Sequence, residues 1–387
     1  MEQQEIAASA AGVSKSVAVI ACTAMAVFYV AVLYFPTLIL RLPPPSSFKS
    51  FLIRRFICAA VSSIVSLVAC SLILPIRRWD ASHLFGVYGI RLDHIWQALV
   101  FPLSLTSLMY TGSLVLKFLL ALSTCSEHWN NGGILSVVFI KGVLQRFICW
   151  ILSMASNISS WRNYFVAPLT EELVFRSCMI PLLLCGGFST YTVIFLCPVF
   201  FSLAHLNHLL EFYLQKNCSF LKACTAVGFQ LGYTVIFGWY ASFLFVRTGH
   251  LVSPLAAHIF CNFMGLPVIF SRRSGLLVSL AFIAGVMGFF WLLFRLTTPQ
   301  LFNSATDNCK CWHRSTPYPP TQPPSPLSYA TYVKKLTRVK DDKIFCTMSR
   351  PSSLPSITWV DWTTYDDDVH SFLVDLEAFE FKEEFSP

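Results

Sequence analysis

The sequence predicts an all-α fold, a polytopic membrane helix bundle, and three observations carry that prediction. Of its 387 residues, 55% are hydrophobic and only 12% are charged, whereas a soluble globular domain is charged at about a quarter of its positions. Mean hydropathy is +0.61. The apolar residues also fall in long unbroken runs, which suit helices of ~20 residues crossing a ~30 Å hydrocarbon core. A membrane β-barrel would show short alternating segments instead.

Taken in chain order, the runs lie near residues 16–40, 56–76, 95–122, 134–155, 165–185, 189–212, 222–246, 250–270 and 275–297. The first follows a nearly neutral segment containing Lys15, is long for a signal peptide and lacks a small-residue cleavage site, so it reads as a retained span. Pro43-Pro44-Pro45 and Pro75 punctuate the early loops. The run at 165–185 carries charged residues and reads as a broken or half-buried helix, which makes eight spans as defensible as nine. After about residue 298 the chain changes character. Pro317, Pro319, Pro320, Pro323, Pro324 and Pro326 form a polar linker, and Asp361 to Pro387 is acidic with interspersed aromatics. The expected organisation is a membrane domain over residues 1–300, its motif-bearing part at about 134–297, and a disordered tail over 301–387. One short amphipathic helix is expected in that tail near 369–381, and its end, Glu384-Phe385-Ser386-Pro387, is no lipidation signal.

The formal net charge of +8 does not point to nucleic acid. Basic residues sit at the ends of apolar runs, as in Arg54-Arg55, Arg77-Arg78 and Arg272-Arg273, a pattern of membrane-flanking anchors. No basic patch is interleaved with stacking aromatics. Most of the 14 cysteines, among them Cys22, Cys58, Cys70, Cys149, Cys185 and Cys261, lie inside apolar runs, where they act as small hydrophobes. Cys309-Lys310-Cys311 with His313 lacks the second pair that a structural zinc site needs. Asn157-Ile158-Ser159 and Asn217-Cys218-Ser219 fit the glycosylation pattern, which matters only on a luminal face.

Chemistry concentrates at three places inside the apolar runs. Thr170-Glu171-Glu172-Leu173-Val174-Phe175-Arg176 puts two carboxylates and a guanidinium where ionised groups are costly. Glu172 and Arg176 stand four apart and share a helix face, so they can pair, while Glu171 points about 100° away and stays available as a base. Pro168 and Thr170 read as a helix start with Thr170 as N-cap, which places both carboxylates in a first turn that favours their ionised form. His205, one turn after Phe201, is followed by Asn207, His208 and Glu211 in a polar stripe, and a neutral imidazole there can hold water beside a carboxylate. His258 and Asn262 are four apart, and paired donors of this kind suit the oxyanion of amide hydrolysis. Structural alternatives stand beside each: a salt-bridged helix start, a satisfied core histidine, and interhelical hydrogen bonds. Three such places in one chain favour hydrolysis at membrane depth.

Other chemistries fit poorly. The chain has no His-Glu-x-x-His, no Asp between Asp93 and Asp307 for an aspartate dyad, no Gly-x-Ser-x-Gly elbow, and no environment that would activate Cys261. Water activated by glutamate and histidine is left, with a zinc held by Glu171, His205 and His258 as a variant.

These residues carry a resemblance. Glu-Glu-x-x-x-Arg, Phe-x-x-x-His and His-x-x-x-Asn, in this order, resemble the type II CaaX prenyl endopeptidases, the Ras-converting proteases of the endoplasmic reticulum within the wider abortive-infection family. The match extends to Ala167-Pro168-Leu169-Thr170-Glu171-Glu172-Leu173-Val174-Phe175-Arg176 and to Tyr240 through Gly265, and covers roughly residues 15–300. The resemblance implies eight transmembrane helices enclosing a catalytic cavity open to cytosol and bilayer, in the endoplasmic reticulum membrane. It implies removal of the last three residues from farnesylated or geranylgeranylated CaaX proteins such as Ras and Rho-type GTPases, without metal or other cofactor. Carried over, Glu171 with His205 activates water, His258 and Asn262 stabilise the oxyanion, and Glu172 and Arg176 support the site. Asn207 departs from a stretch that is commonly richer in histidine. A metal-dependent protease on the same scaffold and a non-catalytic prenyl-protein-binding scaffold are the competing readings.

Overall fold

The computed structural model describes residues 13–43, 45–74, 81–130, 137–205, 220–268 and 275–302, and every regular element among them is helical. In chain order these are α1 (Lys15–Leu38), α2 (Phe48–Ile73), α3 (Ala81–Val87), α4 (Ile95–Met109), α5 (Thr111–Asn130) and α6 (Val137–Ser156). There follow α7 (158–185), α8 (Thr190–Ala204), α9 (Phe220–Thr248), α10 (Val252–Met264) and α11 (Gly275–Leu296). The Asn207, His208 and Glu211 stripe, Pro75, Arg77-Arg78, Asn217-Cys218-Ser219, Arg272-Arg273, the Cys309/Cys311/His313 cluster and the whole tail lie outside the described residues.

Local chemistry starts the first two helices. Ser14 and Ser47 are extended residues whose hydroxyls accept from Val17 N and Ser50 N, each at 3.2 Å, satisfying amides that an α-helix leaves open. By length and composition four described helices can cross a membrane, within α1, α2, α9 and α11, and a fifth span results if α4 and α5 count as one. The run expected at 95–122 is therefore not one straight helix but two, bent by 78°. Tyr110 sits at the bend and is anchored from outside it, its hydroxyl donating to the Gly265 carbonyl at 2.8 Å. Expected runs at 189–212 and 250–270 give the shorter helices α8 and α10, the latter stopped at Gly265 with φ +69°.

α7 lies at the centre. Val174 through Met179 are wholly buried, with α1 and α2 on one side and α8, α9 and α10 on others. Small side chains permit this close approach. Along α2 the buried residues Ala59, Ser62, Ser63, Ser66 and Cys70 form the contacting face, and a Cβ on Gly186 would come within 2.7 Å of the Ala18 Cβ on α1. The cysteines do more than fill space. Cys70 Sγ donates to the Cys178 carbonyl (3.4 Å), Cys197 Sγ to that of Phe175 (2.8 Å) and Cys22 Sγ to that of Met179 (3.9 Å). Those three carbonyls lie in or beside a π turn of α7, Leu173–Cys178, where the helical register slips by one residue.

Two stability predictions arise from the frame. A Cβ on Gly285 of α11 would overlap Thr111 Oγ1 and the Leu108 carbonyl, so Gly285→Ala is expected to cost about 1–3 kcal/mol, seen as a lower melting temperature in detergent. An unchanged melt would show that α11 can shift away from the α4–α5 bend. The second prediction concerns the turn before α4, where Arg91 clasps Asp93 through Nε and Nη2 and also donates to the Phe302 carbonyl at 3.4 Å. The Arg91 hydrogen bond holds the Asp93 carboxyl below the ordinary carboxylate range. A depressed folded-state value means the clasp stabilises above the unfolded pKa of about 3.9 and fades as pH falls through the folded value. Asp93→Asn is thus expected to melt slightly lower than wild type at pH 7, with the gap closing towards pH 3. The effect stays under about 1 kcal/mol because the carboxylate is solvated. A gap independent of pH would overturn this account.

Candidate active site

The site begins with a deformed helix. α7 runs without a break through two π turns, Arg162–Val166 and Leu173–Cys178, and the joining residues Val166, Ala167, Glu172 and Leu173 all keep right-handed helical angles. Pro168 has no N–H to give and its ring would crowd the carbonyl four residues back; the wider turn ahead of it relieves both problems. The expectation of a helix start at Thr170 is therefore corrected. Thr170 is internal, its hydroxyl donating to the Val166 carbonyl at 2.8 Å, and neither carboxylate lies in a first turn. The field of a helix N-terminus is not what holds them.

What holds Glu172 is direct pairing. Arg176 Nη1 donates to Glu172 Oε1 at 3.0 Å, and both side chains are completely buried. The Arg176 guanidinium also lies over the rings of Phe201 (4.7 Å) and Phe237 (5.9 Å), contacts that favour a cation out of water. The same Glu172 oxygen receives His258 Nδ1 at 2.7 Å. Because a carboxylate only accepts, Nδ1 carries the hydrogen, and Nε2 is the atom turned to Glu171 Oε2 at 3.7 Å. His258 thus bridges the two glutamates, one at each ring nitrogen. The Glu172–Arg176 pairing expected from four-residue spacing is present, and Glu171 lies outside it.

Glu171 and His205 line one cavity of ≈ 150 Å³, walled on its apolar side by Tyr29, Leu33, Phe175 and Phe201. Tyr29 positions the glutamate's helix, its hydroxyl 3.0 Å from Thr170 Oγ1 and its ring edge-on to Phe175. His205 ends α8, with Nδ1 2.9 Å from the Phe201 carbonyl and its ring edge-on to Phe201. Asn262 is placed differently. It shares α10 with His258, but its Nδ2 donates to the Asn163 carbonyl at 2.8 Å, pinning α10 to the first π turn. The structure brings Glu171, Glu172, Arg176 and His258 into one cluster and Glu171 and His205 into one cavity, with Asn262 beside the cluster. Among the described residues no three His, Cys, Asp or Glu side chains are gathered as a metal ion requires.

Tyr29, Arg55 and Arg162 escaped the sequence reading, although all three line the cavity. Tyr29 stands in an apolar run with no neighbouring polar pattern to mark it. Arg55 was visible as half of Arg54-Arg55, but a basic pair at the end of an apolar run reads first as an interfacial anchor.

The family described as Type II CAAX prenyl endopeptidase Rce1-like matches residues 153–264, the stretch holding every candidate residue. The protein named CAAX prenyl protease 2 from Arabidopsis thaliana is 60% identical over 302 residues, covering 78% of this chain and 96% of that one. Its namesake from Homo sapiens is 34% identical over 295 residues, covering 74% and 83%. The Schizosaccharomyces pombe protein named probable CAAX prenyl protease 2 is 35% identical over 141 residues, or 36% and 52% of the two chains. No solved structure matches the chain. With near-complete coverage of a 60% identical relative, this all-helical, multi-pass membrane chain belongs to the CAAX prenyl protease 2 family of type II CAAX endopeptidases.

Proposed function

We propose that this chain removes the C-terminal aaX tripeptide from prenylated CaaX proteins by a glutamate-type, metal-independent hydrolysis. Endopeptidase activity on CaaX proteins is the activity of its family. The single observation that supports the mechanism is the split pair: Glu172 neutralised by Arg176 and His258, and Glu171 facing a cavity with His205. In this reading a water sits between Glu171 and His205; Glu171 takes its proton as the oxygen attacks the scissile carbonyl, then passes that proton to the amide nitrogen as the C–N bond breaks and the tripeptide leaves. The second Nδ2 hydrogen of Asn262, the first being spent on Asn163, meets the oxyanion, and His258 Nε2 joins it when the ring carries a hydrogen on both nitrogens. Glu172 and Arg176 fix the ring of His258 and take no part in proton transfer.

The same reading places the chain in the endoplasmic reticulum membrane with the cavity reached from cytosol and bilayer, and counts eight spans by including the shorter and broken helices. A prenyl chain gains ~0.8 kcal/mol per buried CH₂, so the bilayer concentrates the substrate. Farnesyl and geranylgeranyl proteins such as Ras and Rho-type GTPases are the substrates, and residues 1–300 form the catalytic domain.

The test is tripeptide release from a farnesylated CaaX peptide by membranes carrying wild type or Glu171→Gln, with and without chelator. Release that is lost in the variant and indifferent to chelator is expected. Release lost with chelator and restored by zinc would move the chemistry to a metal. No release by folded wild type would favour a binding scaffold.

A further inference from the structure

α2 and α7 run side by side in matched register. Ser63 Oγ donates to the Thr170 carbonyl at 3.5 Å, and seven residues further along α2 Cys70 Sγ meets the Cys178 carbonyl at 3.4 Å, so the two helices are parallel. Followed back towards their N-termini, both present residues at four-residue spacing to one cavity, Ala59 then Arg55 on α2 and Val166 then Arg162 on α7. Arg55 precedes Ser63 by eight residues and Arg162 precedes Thr170 by the same eight. Arg55 and Arg162 therefore start from matching levels of the two helices, both half-buried and both in the wall that holds Glu171 and His205. Arg55 is steadied by the ring of Phe51, 4.8 Å from its guanidinium carbon.

The spacing suits a particular ligand. Eight residues of helix at 1.5 Å rise put the backbone of the arginine pair ~12 Å from the level of Thr170, a separation that the long side chains adjust. Three extended residues span ~10 Å. The guanidinium fork matches a carboxylate in two parallel hydrogen bonds, and an arginine keeps its charge in a half-apolar wall. Whatever the identity of the a-a-X residues, the chain end of a CaaX substrate is a free carboxylate.

We infer that Arg55 and Arg162 form the subsite for the substrate's terminal carboxylate and so set cleavage three residues from the chain end. The inference rests on the endopeptidase reading above. It makes the pair a specificity device: the lipid locates the cysteine in the membrane, and the arginines measure the distance from cysteine to terminus.

The experiment uses two farnesylated peptides of one sequence, ending in a free carboxylate or an amide, with wild type, Arg55→Gln and Arg55→Lys in full-length membranes. Wild type is expected to prefer the acid by about 10- to 100-fold in kcat/KM, the range for a charge-assisted contact. Arg55→Gln should lose most of that preference through a higher KM on the acid, change the amide rate far less, and be partly rescued by Arg55→Lys. Equal cleavage of acid and amide by wild type would overturn the subsite while leaving the endopeptidase reading intact. Equal losses on both peptides in Arg55→Gln would reduce Arg55 to a structural residue or a lipid-headgroup contact. Cleavage of neither peptide by folded wild type would remove the parent reading and the subsite together.

Discussion

Glu171→Gln is expected to lower tripeptide release by at least about a hundredfold, the lower range of what a positioned general base contributes. The substitution keeps size and hydrogen-bonding capacity but removes the charge that accepts the water proton. Folding should be little affected, because Glu171 is the carboxylate outside the tight pair: His258 Nε2 stands 3.7 Å from it, against contacts of 2.7 and 3.0 Å for Glu172. Purified wild type and variant should therefore elute alike on size exclusion and melt within a degree or two, while only wild type turns over. Substantial residual turnover in well-folded Glu171→Gln would transfer the base role elsewhere in the cluster.

Arg176→Met should act the other way, on the fold first. Breaking a buried ion pair by removing one partner costs about 3–5 kcal/mol, because the remaining charge has no solvent to return to. Here the partner left behind is Glu172, completely buried and with Oε2 already lacking a protein hydrogen bond. The single variant is expected to lose most of its folded yield in detergent. Glu172→Gln combined with Arg176→Met removes both charges and should recover much of the stability. It should not recover turnover, since His258 loses the acceptor that fixes its tautomer. If Arg176→Met alone melts like wild type, the pair is not what holds the centre of α7.

The helices and the site residues were legible in the sequence to different degrees, for physical reasons. Long apolar runs such as Lys15–Leu38 and Gly275–Leu296 announce themselves because bilayer thickness fixes their length. The Glu172–Arg176 pair was legible because four-residue spacing on any helix brings side chains together. The bend at Tyr110 was not, because it is held by Gly265, 155 residues away. Thr170 misled for a related reason. Pro168 usually stands near a helix start, and nothing local says that a π turn will carry the helix through it. His258 could be suspected from composition, but its bridging of two adjacent glutamates is a product of how α10 crosses α7, which no spacing rule contains.

The bridge from Glu172 to His258 joins residues 86 positions apart, and that separation has a consequence for how the protein is made. A ribosome adding roughly 5–20 residues per second makes Glu172 about 4–17 seconds before His258. Through that interval the nascent chain holds two glutamates and an arginine that lipid does not tolerate singly. The Glu172–Arg176 pair can close within α7 itself, but the His258 contact exists only once α10 has been made.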